Sequence, residues 1–498
     1  MSGRGFLRAL ALPLAAAACT FEWNDQKVPF PLVGDPPALS GFQKLNHVPA
    51  SRAALLTGSD GAPWAAFCEF WSGRLGEGGG LGGSIARNCK RMHLTRMGES
   101  PWVGPGCGRT CVAALSTDEI IDADGFALHG RELYQMRDDA QALTRTVTLH
   151  RPGDPAPADA SFTMPAGRAL LYTNDDGAAD VFVYWVLDPA TTHYDVYRRD
   201  HRYQLALPLP AGIDPTRPEQ AAGFDFLLSA DGSALVVHQP SGRMTAYSTL
   251  DGSARELGTR PPAFVLDNLH DAVLTVGEDG FRSVPLSDGP DLVLAPTGFD
   301  PATLTLASGA AYYASGGSLW QVPLDGSAAA AAIAPGGARL LTLGPHGEIV
   351  YSRDPGTRYA GGAGDGWLGD GRLMERGRLL RFGQDGARVL FLEHAATIGT
   401  YGDLTSVALP DGAPVTLGLN VHAYRELPDH RVLAVENAVY AGSWNRLVVI
   451  DQAAGTKHWV VPSTVDFVLL PGAQDLIADV VSGASGYDIL RVPVPVPP

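Results

Sequence analysis

The chain has 498 residues, of which 45% are hydrophobic, and it is rich in glycine (59) and proline (38). This composition excludes a disordered chain and is typical of a turn-dense all-β protein. The formal net charge of −16 at pH 7 argues against nucleic acid as a partner and against adsorption of the folded body on an anionic membrane surface.

The first nineteen residues predict export. Arg4 and Arg8 precede a short apolar run that ends in small residues before Cys19, and this run is too short to span a membrane. The AAAC ending resembles the lipobox of bacterial lipoproteins, in which the cysteine becomes lipid-modified and is the first residue of the mature chain. The resemblance implies a signal peptide over residues 1–18 and a lipid on Cys19. Because Ala16 stands where that motif usually has leucine, cleavage by an ordinary signal peptidase is the alternative.

The lipobox resemblance also implies a cellular address. Thr20, rather than an aspartate, follows the cysteine, which implies a lipid-anchored protein of the bacterial cell envelope, at the outer membrane and facing the periplasm or the cell surface. Residues 19–45 contain Pro29, Pro31, Pro36 and Pro37 and are expected to form an extended, lipid-attached tether. No later run is long enough for a membrane helix, so we expect membrane contact only through the lipid.

Four further cysteines lie within residues 46–120, a segment expected to be an N-terminal part of the repeat fold or an accessory module. They are Cys68, Cys89, Cys107 and Cys111. An even number in an exported chain predicts two disulfides, with three possible connectivities. Zinc is the alternative, but only Cys107 and Cys111 have the short spacing of a zinc-ligand pair. The bridges are expected to fasten the glycine-rich stretch over residues 73–89.

Residues 121–498 predict a β-propeller. In residues 225–258, four strand-length apolar runs are separated by turns that include Asp231-Gly232 and Asp251-Gly252. Such Asp-Gly turns recur at Asp288, Asp325 and Asp411 at intervals of about 40 residues or a multiple of it, the repeat length of a four-stranded propeller blade. We expect about eight blades, with seven as the alternative and a degenerate one between residues 336 and 376. A β-solenoid and stacked sandwiches are the competing folds.

The repeats carry a family resemblance. The sequence SADGSALVV followed by MTAYSTLDG resembles the WD40-like (PD40) repeat of the TolB type, and the likeness extends over residues 168–492. It implies a propeller and an envelope protein, but fold alone does not imply activity. The separate α/β domain that precedes the TolB propeller has no counterpart in this sequence.

The sequence offers few candidates for chemistry. It contains no GxSxG nucleophile elbow, HExxH motif, P-loop or complete EF-hand loop. His270, His346 and His422 are placed near the expected inner strands and are candidate metal ligands or acid–base groups, although turn capping or a bond to a backbone carbonyl explains each of them more simply. We therefore predict no catalytic residue, metal or cofactor.

Together these observations favour a membrane-tethered propeller lipoprotein that acts as a scaffold or binding module for another envelope protein. The alternative is a channel-site enzyme of propeller fold, a metal-assisted hydrolase or lyase, which requires a cluster of histidine and acidic residues at one mouth of the ring.

Overall fold

The residues that this computed structural model describes form thirty-nine β-strands and no helix. The described residues are 30–35, 37–38, 42–46, 50–68, 89–97, 119–129, 132–142, 144–153, 161–165, 169–173, 180–186, 193–198, 204–208, 225–229, 233–239, 241–259, 264–267, 270–277, 280–287, 289–295, 298–354, 364–393, 401–437, 445–472, 474–481 and 486–495. None of them forms a helix long and apolar enough to cross a membrane.

The strands follow one another at short intervals along the chain. The first half contains β1 (Leu32–Val33), β2 (Gln43–Lys44), β3 (Ala54–Thr57), β4 (Pro63–Cys68), β5 (Arg91–Arg96), β6 (Glu119–Asp122), β7 (Gly125–His129), β8 (Glu132–Asp139), β9 (Thr144–His150), β10 (Ser161–Pro165), β11 (Ala169–Thr173), β12 (Asp180–Val186), β13 (His193–Arg198), β14 (Gln204–Pro208), β15 (Asp225–Leu228), β16 (Ala234–His238), β17 (Arg243–Ser248), β18 (Ala254–Thr259), β19 (Phe264–Asp267), β20 (Ala272–Gly277), β21 (Gly280–Pro285) and β22 (Leu292–Ala295). The second half contains β23 (Phe299–Ala307), β24 (Ala310–Ser315), β25 (Ser318–Pro323), β26 (Ala331–Pro335), β27 (Arg339–Leu343), β28 (Ile349–Ser352), β29 (Gly364–Leu368), β30 (Gly371–Phe382), β31 (Arg388–Glu393), β32 (Gly402–Ala408), β33 (Pro414–Glu426), β34 (Val432–Asn437), β35 (Asn445–Asp451), β36 (Thr456–Pro462), β37 (Thr464–Leu469), β38 (Asp475–Val481) and β39 (Tyr487–Pro493).

Four sequential antiparallel strands make one unit of the fold. The first six units are separate four-stranded sheets, from β3–β6 to β23–β26. An 11-stranded sheet then contains β27 to β36 together with β1. In this sheet β30 and β33 each pair with the preceding unit along their first half and with the next unit along their second half. The sheet therefore holds the seventh, eighth and ninth units, and β37–β39 belong to the tenth.

The prediction of an all-β, propeller-type repeat fold is confirmed, and the degenerate unit expected between residues 336 and 376 is the seventh. The described strands form eight hydrogen-bonded sheets, but one of them contains three units, so the four-strand units number ten. The expected eight blades, and the alternative of seven, are too low as a count of units. The first three units and the ninth have no Asp-Gly pair between their third and fourth strands, although Asp451 with Gly455 gives a longer version in the ninth.

The Asp-Gly pairs at Asp251, Asp325 and Asp411 lie in the turn between the third and fourth strands of their units. In the fourth unit, Asp251 accepts hydrogen bonds from the backbone N–H and hydroxyl of Ser253, at 3.0 and 2.8 Å, while Gly252 has a φ of 76°. The first of these bonds, with help from the Ser253 and Ser248 hydroxyls, lowers the pKa of Asp251 to about 2. The aspartate thus satisfies the turn backbone, and glycine adopts the left-handed conformation at little steric cost.

The N-terminal segment closes the array. Strand β2 pairs antiparallel with β39 and so supplies the fourth strand of the tenth unit, although it precedes the first unit in the chain. Leu45 and Ala50 pack between the tenth and first units, in a core that includes Phe67 of β4 and Ile477 of β38. The first unit extends from Ala54 of β3 to Asp122 of β6, past the expected boundary at residue 120.

The same N-terminal segment also covers the outer edge of the ninth unit. Strand β1 pairs in parallel with β36, the Lys457 N–H donates to the Pro31 carbonyl at 2.9 Å, and Phe30 is 6% exposed in the core between the eighth and ninth units. The predicted tether over residues 19–45 is therefore wrong for its second half. Burial of Phe30 and the backbone hydrogen bonds offset the entropy that an extended proline-rich linker retains. Residues 1–29, including the predicted tether from Cys19 to Pro29, lie outside the described residues.

Beneath this covered edge lies a buried ionic cluster. Glu436 of β34 accepts hydrogen bonds from Arg446 of β35 at 2.9 Å and from Lys457 of β36 at 3.0 Å. The three side chains are between 1 and 3% exposed. A Cβ atom on Gly418 of β33 would lie 2.6 Å from a Glu436 carboxylate oxygen, so glycine is required there for the carboxylate to fit. The cluster joins three strands of the ninth unit and the adjoining strand of the eighth.

Candidate functional site: an apolar groove beside an open strand edge

The three candidate histidines do not converge. His270 and His346 follow the inner strands β19 and β27, whereas His422 lies near the start of the inner half of β33. Inner strands of successive units run in the same direction, so His422 is at the opposite mouth of the array. Among the described residues, no group of three or more His, Cys, Asp or Glu side chains has the geometry of a metal site.

Each of these histidines already has a partner. A ring nitrogen of His346 lies 3.2 Å from the Asp385 carbonyl, and one of His422 lies 2.8 Å from the Val465 carbonyl, as expected for structural histidines. His270 differs, because its Nδ1 is 2.7 Å from a carboxylate oxygen of Asp267, which is 5% exposed. This Asp–His pair is the one arrangement among the three that resembles a positioned acid–base group.

The disulfide prediction is met in the first unit. Cys68 and Cys89 are bonded, with their Cα atoms 5.8 Å apart. The bond links the end of β4 to the residues just before β5 and closes the glycine-rich excursion, as expected. Cys107 and Cys111 lie outside the described residues, as does Cys19 with its predicted lipid.

An apolar groove separates the outer parts of the fifth and sixth units. Its volume is about 480 Å3, and β22 forms one wall while β24 and β25 form the other. The residues that line it are Leu292, Val293, Leu294, Tyr313, Ser315, Trp320, Val322, Gly326, Ala328, Ala329 and Ala330. Pockets of this size with aromatic walls are typical of sites that take an apolar ligand or side chain.

Small residues keep this groove open. The turn after β25 continues as a run of alanines, of which Ala328 and Ala329 are exposed and close the groove only with methyl groups. Gly326 has a φ of 68°, and a Cβ atom there would lie 2.5 Å from Leu292 Cδ2. Glycine therefore both permits the turn and makes room for Leu292.

The groove continues onto an exposed apolar surface. Leu292 and Val293 are 37% and 54% exposed, and they are the only two neighbours in sequence among the exposed large apolar side chains of the described residues. Both belong to β22, which pairs only with β21 among the described strands. The groove therefore opens beside the outer edge of a sheet.

One end of the groove is acidic. Asp291, which forms an ion pair with Arg282 of β21 at 3.9 Å, immediately precedes β22. Asp325 immediately precedes the loop that forms the groove floor. Hydrogen bonds from Ser327 to Asp325 lower the pKa of that carboxyl below its usual 3.8, and the nearby His270 lowers it further. Burial raises the pKa of the Tyr313 phenol in the groove wall. At neutral pH the groove therefore combines a neutral aromatic wall with an ionised carboxylate at its end.

Sequence reasoning missed this site, because none of its residues belongs to a catalytic or metal-binding motif. The available signal was the sequence LVLA of β22, which has no charged residue or proline within it, followed by the alanine run in the next unit. Exposed apolar patches on monomers often mark interaction surfaces.

No family model matches the chain, and no curated protein matches it in sequence. Three solved structures that it resembles are a eukaryotic initiation factor (11% identity, TM-score 0.33, covering 84% of this chain and 87% of that one), an oligogalacturonate lyase from Vibrio parahaemolyticus (11%, 0.26, 73% and 97%) and the WD40 β-propeller domain of Doa1 (13%, 0.23, 54% and 96%). At these TM-scores the likeness carries no information about activity, and the assignment of the fold rests on the strand pattern of the chain itself.

Proposed function

We propose that this protein is a membrane-tethered lipoprotein of the bacterial cell envelope that binds a partner protein in the groove between its fifth and sixth units. The observation that carries the binding role is the exposed pair Leu292 and Val293 beside a groove with aromatic walls. Leaving such a surface in water costs free energy that a bound apolar side chain recovers. The TolB-type repeat resemblance supports an envelope protein as the partner.

The tether that this proposal requires is short. Phe30 is buried on the ninth unit, so only residues 19–29 separate a lipid on Cys19 from the folded body. A chain of that length extends at most about 35–40 Å. The groove would then stay within a few nanometres of the membrane, close to other envelope proteins.

The lipid anchor is tested by Cys19→Ser. We expect the wild-type protein to fractionate with membranes and to incorporate a fatty-acid label, and the variant to do neither. A variant that still carries the label would contradict lipidation at Cys19. A wild-type protein that appears only in the soluble fraction would contradict the membrane tether.

The binding role is tested by site-specific photocrosslinking in intact cells. A photoreactive residue at position 293 is expected to give a discrete adduct with another protein, whereas the same residue at Val415, an exposed position on the outer strand of the eighth unit, is not. Ala329→Trp, which fills the groove from an exposed loop position, should abolish the adduct, while Ala254→Trp on the fourth unit should leave it unchanged. Equal adducts from positions 293 and 415, or an adduct that survives Ala329→Trp, would contradict the proposal.

A second function is favoured by one observation, the Asp267–His270 pair at the mouth of the fifth unit. A buried carboxylate 2.7 Å from a partly exposed imidazole fixes the ring in the orientation that acid–base catalysis needs. This geometry supports the channel-site enzyme alternative, a hydrolase or lyase. His270→Gln would abolish turnover of any substrate found, whereas a substrate processed equally well by His270→Gln would exclude this site.

A further inference from the structure

We propose that the partner docks as an extended strand that pairs with the outer edge of β22, inserts an apolar side chain into the groove and places a basic residue beside Asp291 and Asp325. This inference rests on the proposed binding role and specifies the chemistry of the partner segment.

Among the described outer strands, β22 is the one that has neither a charged residue or proline within its bounds nor a covering strand. Exposed sheet edges are normally blocked by charged side chains, prolines or a covering segment, because an open edge pairs with other chains. The other outer strands all carry such a feature. These features are Glu119 and Asp122 in β6, Pro165 in β10, Pro208 in β14, Arg255 and Glu256 in β18, Pro335 in β26, Arg372 and Glu375 in β30, Pro414 in β33, Lys44 in β2, and the covering strand β1 on β36.

The unprotected edge is short and bounded. Within β22 the sequence is LVLA, while Asp291 precedes the strand and Pro296 follows it. The charge and the proline at its ends prevent pairing from extending along the sheet. A stretch of this size accepts one short segment and does not favour open-ended aggregation.

This fold already accepts an added strand at the equivalent position of another unit. Strand β1 adds to the outer strand β36 through backbone pairing of Leu32 with Lys457 and Val33 with His458. Phe30, next to this pairing, is buried between two units. Backbone pairing at the edge and an aromatic anchor between units therefore occur together in this molecule. The groove beside β22 provides the matching space between the fifth and sixth units.

The acidic end of the groove favours a basic partner residue. Asp291 and Asp325 lie at this end, where β22 begins and where β25 ends, although Asp291 also forms an ion pair with Arg282 of β21 at 3.9 Å. The molecule as a whole is strongly acidic, which favours approach of a basic segment. A lysine or arginine flanking the apolar anchor would meet ionised carboxylates, whereas a glutamate in that place would be repelled.

The test measures binding of a synthetic peptide, KVTFTLT with blocked termini, to the full chain. In an extended strand the backbone N–H groups of alternate residues face the same edge. Two N-methylated versions are therefore compared, one methylated at Val, Phe and Leu and the other at the three threonines. Strand pairing predicts that one version loses affinity by about tenfold or more, because it removes donors to β22, while the other stays within about twofold.

The location and the charge are tested with the same peptide. Ala329→Trp should abolish binding and Ala254→Trp should not. Replacing the peptide lysine by glutamate should weaken binding severalfold, and this difference should disappear in the double variant Asp291→Asn, Asp325→Asn.

Each other outcome overturns the inference. Equal affinity of the two methylated peptides, or equal loss, would exclude strand pairing. Persistence of binding in Ala329→Trp would exclude the groove, and absence of binding up to about millimolar peptide would exclude this partner chemistry. The proposed function fails separately, if no adduct forms from position 293 in cells.

Discussion

The outer edges of the ninth and fifth units differ in exposure, although both units are built from the same four-strand repeat. The ninth unit is covered by the chain's own β1, with Phe30 buried beside it and a buried ionic cluster under its strands. The fifth unit ends in β22, whose Leu292 and Val293 face solvent beside a groove. The difference shows that equivalent outer strands of a repeat fold can be covered in one unit and left exposed in another.

The largest expected effect is on the covered edge. Glu436→Ala leaves Arg446 and Lys457 buried without their carboxylate, and we expect a loss of about 3–5 kcal/mol in the stability of the ninth unit. Hydrogen exchange of β34–β36 in increasing denaturant measures this loss. The matched control is Glu256→Ala, which removes the exposed pair with Arg243 and should cost about 0–1 kcal/mol. Similar losses in both variants would contradict the structural role of the cluster.

The next largest expected effect is on the N-terminal segment that covers the ninth unit. Phe30→Ala is expected to cost about 3 kcal/mol by removing a buried aromatic side chain. Release of the segment would expose the Lys457 amide, and a loss of that size accelerates its hydrogen exchange about a hundredfold. Val33→Ala is the control, because Val33 is 45% exposed in the same N-terminal segment. If Phe30→Ala leaves exchange at Lys457 unchanged, the segment does not stabilise this edge.

A smaller effect is expected at the open edge. Gly326→Ala and Gly316→Ala both place a side chain at positive φ, 68° and 56°, and each should cost about 1–2 kcal/mol. Only at position 326 does the added methyl meet Leu292, whereas nothing lies within 4 Å of the added atom at position 316. Peptide affinity should therefore fall severalfold in Gly326→Ala alone. Equal affinity in the two variants would show that Leu292 does not shape the binding surface.

The smallest predicted change is the response to pH. Because hydrogen bonds lower the pKa of Asp325, its charge is present above that lowered value and is lost only as the pH falls through it. Affinity for the lysine-bearing peptide should thus stay constant between about pH 5 and pH 8. Titration of binding by calorimetry across this range checks the expectation. A change in affinity within this range would contradict the assignment of the charge effect to the Asp325 carboxylate.

The sequence predicted the repeat better than the site. The turns at Asp251 and Asp325 were recognisable because one short stretch of chain contains both the aspartate and its hydrogen-bond donors. The burial of Phe30 was missed for two reasons. The prolines around it predict a linker, and the units that bury it lie almost 400 residues away in the chain. Pairing of Glu436 with Lys457 likewise depends on which strands become neighbours. The groove was missed because it is defined by the lack of a protecting residue in β22.

The most direct test of the account is hydrogen exchange of the two edges in the full chain, with and without the peptide KVTFTLT. We predict that the β22 amides that face its outer edge exchange rapidly in the protein alone and become protected when the peptide binds, while the Lys457 amide, which donates to Pro31, is protected in both states. Slow exchange of these β22 amides in the protein alone, or protection that appears elsewhere on binding, would contradict the claim that β22 is the open, partner-binding edge.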